Sequence, residues 1–202
     1  MNGTSAGQGS NDRTSEKIAL RAAMRKAIAS NSTEQRSLAS LRIAARLEQS
    51  EAFAKARTIL LFVPLPSEPD LRELLERTIA IGKTVLLPRA RRDPPAIEVA
   101  AVDPALSLDD QLAPDDLGVL APTGPAIDPA SVELAIVPGV AFSADGARLG
   151  RGGGYYDRLL AALPSATRTI GVCFELQRLE AIPEDAHDRR VQAVITDAKS
   201  PA

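Results

Sequence analysis

The stretch Thr58-Ile-Leu-Leu-Phe-Val63 decides the predicted fold of this 202-residue chain. It is a short apolar run rich in β-forming residues, which is typical of a strand buried on both faces of a sheet. A helix is predicted to follow over residues 70–81, with Asp70 as its N-cap. The next strand is predicted over residues 85–87, and Pro88 is expected to end it. This strand–helix–strand order favours a parallel sheet.

Helices and strands alternate over the rest of the chain. One helix is predicted over residues 15–29, and a second begins at Ser32, where Ser32-Thr-Glu-Gln35 forms a capping box. The remaining predicted elements are strands over 97–102, 134–137, 169–174 and 191–195 and a helix over 155–163. Residues 103–130, rich in proline and aspartate, are predicted to be irregular. The alternation predicts an α/β fold with a mostly parallel sheet flanked by helices, in which ligands bind beyond the carboxyl ends of the strands.

The second helix carries apolar residues at helical spacing, which predicts the face that packs on the sheet. These residues are Leu38, Leu41, Ala45 and Leu47.

Composition narrows the class of protein. The formal net charge is 24 − 26 = −2, which predicts neither a nucleic acid nor an anionic membrane as partner. Cys173 is the only cysteine and cannot form an internal disulfide, so a cytoplasmic location is expected. No apolar run reaches the roughly 20 residues that span a bilayer. Residues 1–14 are predicted to be a disordered polar tail, and residues 15–202 a single domain.

A glycine-rich loop, Gly146-Ala-Arg-Leu-Gly-Arg-Gly-Gly-Gly-Tyr-Tyr-Asp-Arg158, suggests a polyphosphate ligand with its metal. Glycine lets backbone N–H groups approach a ligand, arginine binds phosphate oxygens in a forked geometry, and Asp157 offers a hard oxygen to Mg²⁺. The residue pattern of this loop matches neither a Walker A loop nor a dinucleotide-binding fingerprint. The alternative is a flexible surface turn with incidental arginines.

Two further segments are candidates for ligand contacts. Lys17, Arg21 and Arg25 follow one another at i, i+4 spacing on the first predicted helix, either as an anion-binding stripe or as a solvated basic face. Glu68 follows the 58–63 strand and can accept hydrogen bonds from ligand N–H groups.

Two single residues are predicted to be structural rather than catalytic. His187 is the only histidine, and no serine or cysteine nucleophile is placed convincingly beside it. Cys173 lies in an apolar strand, where an inert buried thiol is expected.

Taken together, these residues resemble the 5-formyltetrahydrofolate cyclo-ligase family, also called methenyltetrahydrofolate synthetases. The segments Val137-Pro-Gly-Val-Ala-Phe142 and Gly146–Arg158 look like the family's signature block. Lys17-x-x-Leu20-Arg21 is similar to its N-terminal ATP-contacting element, and the strand with Glu68 to its folate-contacting segment. The resemblance covers residues 15–197.

The resemblance implies a three-layer α/β sandwich and an enzyme that converts ATP and 5-formyltetrahydrofolate into 5,10-methenyltetrahydrofolate, ADP and phosphate, with Mg²⁺ as cofactor. It implies catalytic roles for Lys17, Arg148 and Arg151 and a metal ligand in Asp157. The residues implied to contact ATP are Lys17, Arg21, Arg148, Leu149, Gly150, Arg151, Gly152, Gly153, Gly154, Tyr155 and Tyr156. Those implied to contact the folate are Val63, Glu68, Arg151, Gly152, Gly153, Gly154 and Tyr155.

The chain departs from the family pattern at two places. Pro69 follows Glu68 where an isoleucine is common, and Gln192 follows Val191 where some members place a second Mg²⁺-associated aspartate; Asp188 is a possible substitute. These departures keep two alternatives open. One is a nucleotide- or folate-binding paralogue without activity, and the other is a related ATP-dependent enzyme acting on another substrate.

Overall fold

The structure, a computed structural model, describes residues 5–198, with side chains described from residue 12. Its α-helices are α1 (Ser5–Ala29), α2 (Thr33–Gln49), α3 (Glu51–Lys55), α4 (Arg72–Ala80) and α5 (Tyr155–Ala162). Its strands are β1 (Thr58–Leu60), β2 (Thr84–Arg92), β3 (Pro95–Ala101), β4 (Leu112–Pro114), β5 (Leu120–Pro122), β6 (Ala126–Ile127), β7 (Leu134–Pro138), β8 (Ala141–Ser143), β9 (Arg148–Leu149), β10 (Arg168–Val172), β11 (Arg178–Leu179) and β12 (Ala193–Ile195). Among the described helices none is both long and apolar enough to cross a membrane.

Seven strands form the main sheet, in the order β12-β10-β7-β1-β2-β3-β6. The strands from β12 to β2 are parallel, and β3 and β6 add two antiparallel strands at one edge. The mostly parallel sheet predicted from the alternation of elements is therefore confirmed. A separate small sheet, β11-β8-β9, carries the start of the glycine loop.

Helices cover both faces of the main sheet, as the run at residues 58–63 predicted. Ile59 and Leu61 pack in a core with residues of α2 and α4, such as Ile43 and Leu74. Leu60 points the other way, into a second core that contains Leu159 of α5. Because successive side chains of a strand face opposite sides, the buried run from Ile59 to Val63 must be apolar at every position, which explains the absence of polar alternation there.

The first helix begins earlier than predicted. It starts at Ser5 rather than near Ser15, so residues 5–14 of the predicted disordered tail are helical, and residues 1–4 lie outside the described residues. Once the docked part of a helix exists, each added residue contributes a hydrogen bond without a new nucleation cost. The Arg13 guanidinium also donates to the carbonyl of Glu184, 3.4 Å away.

The face of α2 that packs on the sheet was predicted partly wrongly. The capping box at Ser32 and Gln35 is present, and Leu47 is buried, but Leu38 and Leu41 are about half exposed. Ala39, Ile43 and Ala44 take the buried positions instead. Ala45 is exposed as well. Apolar spacing alone allowed two overlapping faces, and the face that contains Ile43 is the one in the core.

Pro88 does not end β2, contrary to prediction. It lies inside the strand, opposite Val99 of β3. The Leu86 carbonyl accepts from Leu61 on the β1 side, and the Ala90 N–H points to the same side, where it donates to the Asp115 carboxylate. By the two-residue alternation Pro88 faces that side too, beyond the end of β1, where a missing N–H disrupts no ladder.

The Asp70 side chain accepts from the Arg72 N–H at 3.0 Å, but Leu71 is the residue that precedes the first helical turn of α4. Asp70 thus caps from one position earlier than predicted.

The segment 103–130, predicted to be irregular, contains the β4–β5 hairpin and the short strand β6. Asp115 ties this hairpin to β2, since its carboxylate accepts from the N–H groups of Ala90, Leu117 and Val119 at 2.8–3.0 Å. The bond from Ala90 joins residues 25 positions apart, so no local sequence pattern predicts that the hairpin is tied to β2.

Gly146 supports a first prediction, on stability. Its φ is +87°, and a Cβ there would lie 2.0 Å from the Val191 carbonyl oxygen. Gly146→Ala is therefore expected to lower the free energy of unfolding by about 2 kcal/mol, from backbone strain and overlap together. Urea denaturation measures this. Gly82→Ala is the matched control, since Gly82 has φ +81° and nothing within 4 Å of a Cβ; equal losses in the two variants would contradict the role of the Val191 contact.

Candidate active site

The glycine loop begins at the end of β9 and leads into α5. Gly154, with φ +64°, is the N-cap of α5, and the helix starts at Tyr155 as predicted to within one residue at each end. The Arg21 guanidinium of α1 donates to the Gly150 carbonyl at 2.8 Å. The structure thus brings Arg21, one of the three cations of the predicted stripe, against the glycine loop.

Arg148 and Asp157 form a buried ion pair beneath the loop. Arg148 Nη2 and Asp157 Oδ1 are 2.7 Å apart, and the Arg148 side chain is only 3% exposed. Asp157 Oδ1 also accepts the backbone N–H of Arg189 at 3.1 Å. Arg148 Nε is buried without a hydrogen-bond partner among the described residues. The Arg148 guanidinium lies 5.8 Å from the centre of the Tyr156 ring.

A cavity of about 340 Å³ opens on one side of the loop. One wall follows β1 and contains Val63 and Glu68, and the opposite wall is the loop with Tyr155 and Tyr156. The β4–β5 hairpin supplies a further wall that the sequence analysis missed. This concave surface lies beyond the carboxyl ends of β1 and β7, as expected for a parallel sheet.

Glu68 lies deep in this cavity beside Arg151. Its side chain is 9% exposed; Oε2 accepts the Leu65 N–H at 3.0 Å, and Oε1 lies 3.4 Å from Arg151 Nη2. Arg151 also donates to the Ser67 hydroxyl at 3.0 Å. Burial raises the pKa of Glu68, only partly opposed by the Leu65 N–H and by Arg151. Burial also raises the pKa of Tyr156, and the Glu68 carboxylate adds to that rise.

The raised pKa of Glu68 yields a prediction on pH. A carboxyl group whose folded pKa lies above its unfolded value contributes stability below the unfolded pKa, and this contribution is lost as pH rises through the folded pKa. The stability of the natural protein relative to Glu68→Gln should therefore fall as pH rises above the usual range of glutamate. Denaturation of both proteins across pH 4–8 checks this, and Glu180→Gln, which removes an exposed carboxyl group, is the control. A flat difference for Glu68 would contradict the assignment.

A second, more open depression of about 490 Å³ lies on the other side of the glycine loop. Its lining includes Gly152, Arg158, His187 and Arg189. Three residues, Gly153, Gly154 and Asp157, line both this depression and the cavity. The glycine loop is therefore a thin wall between an apolar cavity and a basic depression.

Lys17 lies beside this site but has acidic partners. Its ammonium is 2.6 Å from Asp185 and 2.5 Å from Asp188. Burial lowers the pKa of Lys17, and the hydrogen bonds to the two aspartates outweigh it, so the pKa is raised overall. Asp185, which the sequence analysis did not single out, forms with Asp188 and His187 a group of possible metal ligands.

Three further residues that the sequence analysis discussed lie away from the two concave surfaces. Gln192 and Thr169 donate hydrogen bonds to each other at the start of β10. This position is at the amino ends of the parallel strands, whereas the glycine loop is at their carboxyl ends. The Leu149 side chain is buried in a small core with Ala141 and Ala147 and lines neither concave surface. Cys173 is fully buried, which raises its pKa to about 12 and agrees with an inert thiol.

The fold and the site together define an α/β enzyme with a basic glycine loop at the carboxyl edge of its sheet. The family model described as the 5-formyltetrahydrofolate cyclo-ligase family matches residues 13–197. A 5-formyltetrahydrofolate cyclo-ligase from Mycolicibacterium smegmatis is 32% identical over 147 residues, covering 69% of this chain and 73% of that protein. The mouse enzyme of the same name is 25% identical over 198 residues, covering 93% and 96%.

Solved structures agree. The 5,10-methenyltetrahydrofolate synthetase of Aquifex aeolicus superposes with a TM-score of 0.78 at 31% identity, covering 91% of this chain and 90% of that one. The chain belongs to the 5-formyltetrahydrofolate cyclo-ligase family. It is an enzyme, a ligase of folate one-carbon metabolism, and its family is ATP-dependent.

Proposed function

We propose that this chain converts ATP and 5-formyltetrahydrofolate into 5,10-methenyltetrahydrofolate, ADP and phosphate at the glycine loop. The observation that carries the proposal is the shared wall: Gly153, Gly154 and Asp157 border both the apolar cavity and the basic depression. Transfer of a phosphoryl group to the formyl oxygen needs the two substrates in direct contact, which a shared border without side chains would permit. Gly153 and Gly154 provide such a border.

On the phosphate side, the loop and the start of α5 would bind ATP. The N-terminus of a helix carries a partial positive charge and free N–H groups, which favour a phosphate. Arg21, fixed on the Gly150 carbonyl, keeps further donors at the loop. Lys17 is held by two aspartates, and a phosphate would compete with them for its ammonium group.

On the folate side, Glu68 would accept hydrogen bonds from the N–H groups of the pterin. Such partners would stabilise Glu68, because burial of a carboxylate is unfavourable in free energy unless the carboxylate is hydrogen-bonded. Val63, 8% exposed, offers apolar contact beside it. Pro69 does not remove Glu68 from the cavity, since the carboxyl group is anchored by the Leu65 N–H.

The reaction requires no protein nucleophile. The formyl oxygen attacks the γ-phosphorus of ATP, an O–P bond forms, and ADP leaves as the bond to the bridging oxygen breaks. N10 of the folate then attacks the activated formyl carbon, the C–O bond breaks to release phosphate, and N10 loses its proton. The chain's contribution would be positioning and charge stabilisation, for which Arg151 and Arg148 of the glycine loop would supply the positive charge.

The residues present fit a Mg²⁺ ion. Asp157 Oδ1 is occupied by Arg148 and Arg189, and its other carboxylate oxygen, Oδ2, takes no hydrogen bond from a described residue. Asp157 would hold the ion at the depression, where the Arg148 partner keeps the carboxylate oriented. Bound Mg²⁺ would neutralise charge on the phosphate groups of ATP.

Turnover of a defined substrate tests the proposal. Purified protein with ATP, Mg²⁺ and 5-formyltetrahydrofolate should produce the near-ultraviolet absorbance of methenyltetrahydrofolate together with one phosphate per product. Omitting ATP is the control. Calorimetric binding of ATP or the folate without turnover would show a binding paralogue instead, and turnover of a different formyl or carboxylate substrate from a panel would show a related enzyme.

A further inference from the structure

The apolar cavity has a far end that the proposed roles leave unexplained. Glu68 and the glycine loop form one end, and Ala90, Ile97, Leu117 and Leu120 form the other. In 5-formyltetrahydrofolate the formyl group is bound to N5 of the pterin, next to the ring carbon that carries the aminobenzoyl side chain. If the pterin meets Glu68 and the formyl group meets the loop, the aminobenzoyl ring extends towards this apolar end. The glutamate tail, with its carboxylates, then leaves the cavity past Ala90 and Leu117.

Arg92 lies near that end, outside the residues that line the cavity. It follows Ala90 by two residues on β2, so the alternation of the strand places its side chain on the same face as Ala90. Its backbone N–H donates to the Asp116 carboxylate at 3.0 Å, and its Nη2 donates to the Asp116 carbonyl at 2.8 Å. The second bond fixes the guanidinium next to Leu117, which lines the cavity.

The guanidinium of Arg92 has donors to spare. Within the described part of the chain, no carboxylate oxygen lies within 4.0 Å of its nitrogens, whereas the neighbouring Arg91 is paired with Glu98 at 3.1 Å and with Asp116 at 4.0 Å. A guanidinium presents donors in a fixed fork that matches a carboxylate. Arg92 is thus an oriented cation at the point where the substrate's anionic tail would emerge.

We propose that Arg92 binds a carboxylate of the glutamate tail and so determines the preference of this enzyme for glutamylated folates. The inference rests on the proposed function. Arg92 does not touch the reacting atoms, so it contributes to substrate binding and not to the chemical step.

The test compares two substrates that differ only in the tail, 5-formyltetrahydrofolate and 5-formyltetrahydropteroate, at saturating ATP. Arg92→Met should raise KM for the glutamylated substrate about fivefold, as expected for one exposed charge-assisted hydrogen bond, and leave kcat unchanged. KM for the tail-less pteroate should not change. Arg92→Lys should recover part of the loss, because it keeps the charge without the fork.

Arg91→Met is the matched control, since Arg91 lies one residue earlier and faces the opposite side of β2, towards Glu98. It should change KM for neither substrate. An equal rise of KM for both substrates in Arg92→Met would show a displaced hairpin and overturn the proposal, and so would an unchanged KM for both. Failure of the natural protein to turn over either substrate would instead refute the proposed function itself.

Discussion

Replacing Arg151 with alanine is expected to lower kcat about a hundredfold, which corresponds to about 2.7 kcal/mol of lost transition-state stabilisation. Arg151 is the cation of the glycine loop that points into the cavity, 3.4 Å from Glu68 and 3.0 Å from the Ser67 hydroxyl. It is more than half exposed. A cation at this position is free to move from the cavity wall to a phosphoryl group in transfer, where charge develops on the equatorial oxygens.

Steady-state kinetics with varied ATP and varied folate separate two contributions of Arg151. Loss of charge stabilisation lowers kcat, whereas loss of the bridge between the two cavity walls raises KM for the folate. Arg151→Lys should keep part of the rate, because it retains the charge but not the forked geometry. Arg168→Ala is the control, since Arg168 is an exposed arginine at the amino end of β10, at the other end of the strands from the glycine loop. A rate in Arg151→Ala within threefold of the natural protein's would overturn this role.

The sequence was sufficient to predict those parts of the structure that depend on residues close together in the chain. The capping box at Ser32 follows from a four-residue pattern, and both of its hydrogen bonds are present. The apolar run of β1 showed that the strand is covered on both faces, and the order of elements predicted a mostly parallel sheet. The glycine loop was also recognisable from the sequence as a candidate ligand site, because glycine, arginine and aspartate are seldom combined at this density without a ligand.

The sequence was insufficient to predict the effect of a residue whose partners are far away in the chain. A proline ends a strand only if its missing N–H would have met a neighbour, and Pro88 lies where β1 has already ended. Lys17 was predicted as part of a basic stripe, either anion-binding or solvated, yet its partners Asp185 and Asp188 are about 170 residues further along the chain. The hairpin wall of the cavity depends in the same way on Asp115 reaching back to β2.

Asp157→Ala is expected to lower the free energy of unfolding by about 3 kcal/mol, because it leaves the buried guanidinium of Arg148 without its carboxylate. Both residues were singled out from the sequence as separate ligands of phosphate and metal, and their pairing at 2.7 Å appears only in the fold. Arg148 Nε already lacks a partner among the described residues, so little else is available to compensate the charge. Denaturant titration without ATP or Mg²⁺ measures this structural share apart from any effect on metal binding.

Two comparisons make the Asp157 prediction sharp. Asp109→Ala removes the carboxylate of an exposed ion pair with Arg72 at 3.2 Å, and it should cost less than about 1 kcal/mol, as exposed pairs do. The double variant Arg148→Met/Asp157→Leu should regain most of the lost stability, because it removes the buried charge together with its partner, and it should remain inactive. If Asp157→Ala costs no more than Asp109→Ala, the pair does not stabilise the fold. In that case Asp157 would be retained for the metal alone, and the glycine loop would owe its position to the hydrogen bond from Arg21 to the Gly150 carbonyl.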